Sequence, residues 1–211
     1  MAGAFAADAR DELDPELLAL PDPPQKARIL TLVVLLLASL AALAMAVALR
    51  SDVAYAFRGA SSVDLGDLRT VTDTTLVASE NRYVRAEALL GVAGGIRYER
   101  PFVDDTFRTV PVAGRRDLWV DVRVPAGQEN GRWEPPRSFA GRLVRLGAAG
   151  PRHRGLEGAL KGAAGASEMA WLIVDGEQPD SARWSVVLAA LFLGFAAWNV
   201  ASFVRIVRRV K

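Results

Sequence analysis

Two uninterrupted apolar runs frame this chain, and between them apolar and polar residues alternate with a period close to two. Residues 29–49 read ILTLVVLLLASLAALAMAVAL between Arg28 and Arg50, with no charge, proline or glycine. Residues 184–204 read WSVVLAALFLGFAAWNVASFV between Arg183 and Arg205 and are also free of charge. As helices rising about 1.5 Å per residue, both runs are long enough to cross a hydrocarbon layer of about 30 Å. Both are expected to be transmembrane helices, with Trp184 at the headgroup level that suits its amphipathic ring.

The segment between them predicts short strands. In 83–90, Val84, Ala86 and Ala88 oppose Tyr83, Arg85 and Glu87, as a half-buried strand requires. Glycines 91, 94 and 95 break this run. Residues 96–100 resume it, with Ile96 and Tyr98 opposed to Arg97 and Glu99, and 106–112 continue less regularly. The clearest strand is 118–124, LWVDVRV, a central strand with Val120 and Val122 in the core and Trp119, Asp121 and Arg123 on the other face. Pro125-Ala126-Gly127 ends it. After a polar excursion over 128–136, residues 139–146 form another strand, in which Gly141 marks a bulge or a close backbone approach. Residues 156–164 predict a short helix with Leu156, Leu160 and Ala163 on one face, and 169–174 a buried strand. Six short strands and one short helix predict a small β-barrel or β-sandwich-like domain, within an α+β membrane protein flanked by two transmembrane helices.

The expected organisation is an acidic, disordered tail over 1–28, the first helix over 29–49, a β-rich domain over 50–183 beginning with a connector over 51–68, the second helix over 184–204 and a basic tail over 205–211. Residues 15–20 are a candidate for a short cytoplasmic docking motif. Residues 1–28 carry a net charge of −3. With an apolar stretch longer than a signal core, this favours an uncleaved anchor over a signal peptide. Lys26 and Arg28 before the first helix, with Arg205, Arg208, Arg209 and Lys211 after the second, predict that both termini are cytoplasmic. Arg50 and Arg58 oppose that bias at the first helix.

Residues 50–183 hold 19 basic and 18 acidic residues, a balance that does not suit nucleic-acid binding. The chain has no cysteine and one histidine. Disulfides, thiolate metal sites, thiol nucleophiles and sites needing several histidines are therefore excluded. His153, in PRHRG, reads as a solvated loop residue, and Asp104-Asp105 as a turn. No catalytic, cofactor-binding or metal-binding residue is expected. The residues that stand out are suited to helix packing: Asn199, the small pair Ala190 and Gly194, and the ridge Ala38, Ala42 and Ala46.

The order of these features resembles the SURF1 family of cytochrome c oxidase assembly proteins. LWVDVRVPAG (118–127) is similar to the family strand that closes on a Val-Pro turn, FAGRLVRL (139–146) to its following strand, and AWLIVDGEQP (170–179) to its last strand before the membrane. The family's Trp-Gln…Arg signature after the first helix has no counterpart in SDVAYAFRG, and its histidine in the second helix has none in 184–204. The resemblance implies a non-catalytic, membrane-anchored accessory or assembly factor; because the histidine that the family uses in haem handling has no counterpart in 184–204, no bound haem is expected. Its domain would be periplasmic, on the inner membrane of a bacterium, and would dock on another integral membrane protein such as a terminal respiratory oxidase. In architecture alone the chain also resembles bacterial relatives of the GIDE/MULAN membrane domain, which sit between two helices; the RING of the eukaryotic enzyme is missing here. The alternative function is that of a membrane-anchored enzyme working with carboxylates alone.

Overall fold

A computed structural model describes residues 25–91, 94–100, 105–125, 127, 134–150 and 153–208. The acidic tail up to residue 24, the docking motif at 15–20, Asp104, most of the polar excursion and the last three residues lie outside it. The chain divides into two compact units, one formed by the stretches up to Leu40 and from Ala196, the other by Ala41–Phe195.

The first apolar run forms helix α1, Gln25–Ala48, and the second lies in helix α5, Arg183–Arg208. Both are long and apolar enough to cross a membrane, and only 11% of the most apolar window of each is buried. In α1 the hydroxyls turn back on the helix itself. Thr31 donates to the Ala27 carbonyl at 2.9 Å and Ser39 to Leu35 at 2.8 Å, which leaves no hydroxyl hydrogen for an apolar surround to accommodate.

Directly after α1 comes a second helix, α2 (Arg50–Ala56), where a connector was expected. Then follow β1 (Val63–Asp67), helix α3 (Asp73–Ala78), β2 (Arg82–Glu87), β3 (Ile96–Glu99), β4 (Thr106–Pro111), β5 (Leu118–Val124), β6 (Ser138–Arg145), helix α4 (Arg154–Ala164) and β7 (Trp171–Asp175). A 3-10 turn over Pro179–Ala182 leads into α5. Thr72 caps α3, its hydroxyl accepting from the Thr75 amide. Gly165, left-handed at φ 63°, closes α4.

All seven strands belong to one mixed sheet, in the order β1-β2-β6-β7-β5-β4-β3. This corrects the expected barrel or sandwich. Apolar residues of β2, β5, β6 and β7 gather on one face with Leu65, Leu68 and Leu76 from β1, the turn after it and α3. A bridge joins Leu90 to Val112, so the sheet curls over this face without closing into a barrel. On the opposite face, Leu156 and Leu160 of α4 pack against Trp119, Val144, Leu172 and Val174.

Val120 and Val122 of the interior strand β5 are buried as expected. Its other face is not wet, because Trp119 and Asp121 are also buried, at 4% and 1% exposure. Gly141 is a point of close approach. A Cβ there would come within 1.9 Å of the Val174 carbonyl oxygen on β7, so only glycine permits this strand pairing.

Candidate functional site

Arg142 pairs across the sheet with Val174, which pairs with Asp121, which in turn pairs with Thr109. Directly paired residues share a face of a sheet. This row therefore carries an arginine, an aspartate and a threonine on the face that α4 also covers, and all three are buried.

Around Arg142, which has 0% exposure, four parts of the chain converge. Its Nη1 donates to Asp52 Oδ1 at 2.7 Å and to Glu177 Oε1 at 3.3 Å, and its Nε donates to Asn81 Oδ1 at 2.9 Å. The guanidinium lies over the Tyr55 ring, 4.5 Å from its centroid. Asp52 and Tyr55 are three residues apart on α2 and so share a helix face, the two buried residues of that helix. Asn81 sits in the left-handed region at φ 57°, which asparagine tolerates better than most residues. There its backbone amide donates to the Leu143 carbonyl at 2.7 Å and its side chain to the Ser51 carbonyl at 3.0 Å. Glu177 follows β7, and its carbonyl accepts the Tyr55 hydroxyl at 2.6 Å.

His153 belongs to this cluster too, and its expected place in a solvated loop is corrected. It is 2% exposed, with Nε2 lying 3.5 Å from Glu177 Oε2. Its two flanking arginines made the segment look wet, but His153 stands immediately before α4, the helix that covers this face of the sheet. Burial pushes the Tyr55 hydroxyl well above its ordinary pKa, and the Glu177 carboxylate adds to the shift.

A second network surrounds Asp121. Its carboxylate accepts from Tyr98 Oη and Arg100 Nη2, both at 2.7 Å, and from Thr109 Oγ1 at 2.9 Å. Tyr98 stacks on Phe107 with ring centroids 5.6 Å apart, and the Arg100 guanidinium lies 3.9 Å from the centre of the Phe107 ring. The networks are within electrostatic reach of each other, since Asp121 feels His153 and Arg100 feels Glu177. Burial raises the Asp121 carboxyl, against the opposing pull of Tyr98, Arg100 and Thr109.

A raised folded-state pKa means that the unfolded chain loses this proton first as pH rises. Stability from Asp121 therefore falls as pH climbs from the unfolded carboxylate value of 3.8 towards the folded one. Comparing unfolding free energies of the wild type and Asp121→Asn across this range should show the wild type losing ground as pH rises. A constant difference would mean that Asp121 titrates alike in both states.

The opposite charges in these clusters face one another, while Arg142 Nη2 and Asp52 Oδ2 are buried without hydrogen-bond partners. Arg142 answers Asp52 and Glu177, and Arg100 answers Asp121, with every one of these groups tied to another element of the fold. Among the described residues no three His, Asp or Glu side chains group as a metal site would. The Arg142 cluster joins α2, which continues from α1, and the segment that leads into α5 to the middle of the sheet.

Sequence reasoning missed Arg142, Asp52, Tyr55 and Glu177. Of the residues it singled out, Ala42 and Asn199 are buried at 4% and 5% exposure, and Ala38 and Ala46 are half-buried. The Asn199 side-chain nitrogen is buried without a hydrogen-bond partner. Ala190 and Gly194 are exposed, on a different side of α5 from Asn199. Asp105, half of the expected turn, is buried and ion-paired with Arg123. No protein-family model, curated protein or solved structure matches this chain.

Proposed function

We propose that this protein is a membrane-anchored accessory or assembly factor that works by docking on another integral membrane protein. The reading places α1 and α5 across a membrane, both termini in the cytoplasm and the sheet domain on the far side, the periplasm of a bacterium. The likeness to SURF1-type assembly proteins points to a respiratory oxidase as the partner class, and the lack of a histidine in the second helix to a chain that holds no haem.

The observation that carries the docking reading is the outward side of α5. Ala190 and Gly194 lie one turn apart and exposed, flanked by Leu191 and Phe195 at 62% and 52% exposure, and a Cβ placed at Gly194 would meet no other part of the described structure within 4 Å. A shallow notch between large apolar side chains suits close approach of a neighbouring helix, whose packing in lipid rests on van der Waals contact. The ionic clusters support the same reading. Their acids and bases are engaged with one another, and they stiffen the joint between helices and sheet as a docking platform needs.

Because a Cβ at Gly194 enters open space, Gly194→Leu is expected to fill the notch without displacing the rest of this chain. Isolated from native membranes under mild detergent, the variant is expected to retain its fold but to recover its membrane-protein partner at least about tenfold less well, a loss of about 1.4 kcal/mol. Recovery of the same partner in the same yield would reject docking through this notch.

A further inference from the structure

Three depressions in the surface of the sheet domain meet at one side chain, Arg58. The largest, about 690 Å³, is lined by Phe57, Arg58, Arg183, Val186 and Val187, at the beginning of α5. The second, about 330 Å³, runs from Arg58 past Glu80 and Ser51 to Arg145. A third, about 340 Å³, leads from Arg58 to Arg82 and Tyr83. Four arginines thus line this basin of three adjoining depressions that share Arg58, against two acids, Glu80 and Asp180.

These arginines are only partly spoken for. Arg183 pairs with Asp180 at 2.7 Å, and Arg145 reaches Glu80 at 3.6 Å. The Arg145 Nε is buried with no hydrogen-bond partner, as is the Ser51 hydroxyl in the same depression. The Arg58 guanidinium donates to the Glu80 carbonyl at 3.3 Å. Beside this basic rim stand two exposed aromatic rings, Phe57 at 76% and Trp184 at 43%, and the outward Val187 at 61%.

We propose that this basin seats the phosphate of an anionic phospholipid at the membrane surface, with Arg58 at its centre and the acyl chains running along Val186 and Val187. Guanidinium groups bind phosphate oxygens through paired hydrogen bonds, and arginine stems lie along apolar surface while their heads reach the headgroups. Phe57 and Trp184 occupy the depth that amphipathic and aromatic rings prefer. The seat also accounts for an oddity of charge. In the proposed orientation these arginines lie on the translocated side, where basic residues close to a membrane helix work against insertion; an anionic ligand there compensates them. A juxtamembrane arginine contributes about 1 kcal/mol to attraction by an anionic surface, or about fivefold in affinity.

The inference rests on the reading that α1 and α5 cross a membrane, which alkaline carbonate extraction of native membranes tests separately. A protein released by carbonate fails that reading. One that stays in the membrane but shows no lipid preference fails only this inference. For the full chain reconstituted in bilayers, association of spin-labelled phosphatidylglycerol and phosphatidylcholine is compared. Phosphatidylglycerol is expected to associate several-fold more strongly, with about a fivefold loss of that preference in Arg58→Gln. Arg116→Gln, in an exposed position outside the basin, should leave it unchanged. Should Arg58→Gln lose its fold, Arg82→Gln and Arg183→Gln, both exposed, carry the same expectation. Equal association of the two lipids overturns the proposal, as does an unchanged preference in a folded Arg58→Gln. Displacement of the labelled lipid by inorganic phosphate, or by a soluble acidic peptide, would assign the basin to those ligands and overturn the lipid assignment.

Discussion

Arg142→Met is expected to destabilise the protein by about 3–5 kcal/mol, because it removes the shared counter-charge of two buried carboxylates. Asp52 and Glu177 are 2% and 5% exposed, and Arg142 Nη1 reaches an oxygen of each. Methionine matches the length of the arginine stem and its packing over Tyr55, so the loss isolates the guanidinium from simple cavity formation. Asn81 also loses the donor to its Oδ1.

The interaction is costly to break but need not be costly to replace. A buried charge pair repays its desolvation only when geometry and further hydrogen bonds are good, and here Arg142 Nη2 and Asp52 Oδ2 are buried without hydrogen-bond partners. Adding Asp52→Leu and Glu177→Met to Arg142→Met should therefore restore much of the lost stability. Denaturant unfolding of the full chain in micelles, followed by tryptophan fluorescence, measures both effects. A single-variant loss below about 1 kcal/mol, the range of exposed pairs, would show that the cluster is open to water.

Part of this cluster was written into the strand pattern. In residues 139–146, Phe139, Gly141 and Leu143 fall on one face and Ala140, Arg142 and Val144 on the other. Both faces are mainly apolar, so the strand is covered on both sides and an arginine amid it must have partners inside the protein. The same logic applies to Asp121 in LWVDVRV, where alternation suggested a wet face because Asp121 and Arg123 are charged. Only Arg123 is exposed.

Which partners meet Arg142 was not legible, for they come from positions 52, 81 and 177 and are brought together by sheet order alone. Asp52 lies just past an apolar run whose length dominated its surroundings, so the seven-residue helix it belongs to left no periodicity long enough to read. β1, the strand that sequence reasoning missed, is VDLGD. Its glycine and two aspartates depress β-propensity, and its place is set by parallel pairing with β2 and by Leu65 packing into the core. The single sheet in place of a barrel has a similar origin. Local alternation gives strands and their buried faces, whereas the parallel pairings β1-β2 and β5-β7 depend on long connections that carry no local signal.

Val120→Asp is expected to cost on the order of 5 kcal/mol at neutral pH, enough to unfold a protein of ordinary stability. Val120 is fully buried, paired with Val110 on β4 and Ile173 on β7, and surrounded by the apolar cluster on the face opposite α4. No arginine of the Arg142 or Asp121 networks can answer a charge there, since those side chains project from the other face. A carboxyl in such a place stays protonated, with a folded pKa that buried groups can raise to about 8–9, against about 3.9 when unfolded. The sign of the pH dependence follows. Below about pH 4 both states hold the proton, and the cost reduces to the buried polar group and the changed shape. Above that, the unfolded state ionises while the folded state does not, and stability falls by about 1.4 kcal/mol per pH unit. The variant should therefore be least damaged in acid and collapse towards neutrality, with the wild type measured alongside to remove the contribution of native carboxylates. A melting temperature equal to that of the wild type at neutral pH would mean that position 120 does not face the core and that the register of β5 between β4 and β7 is wrong.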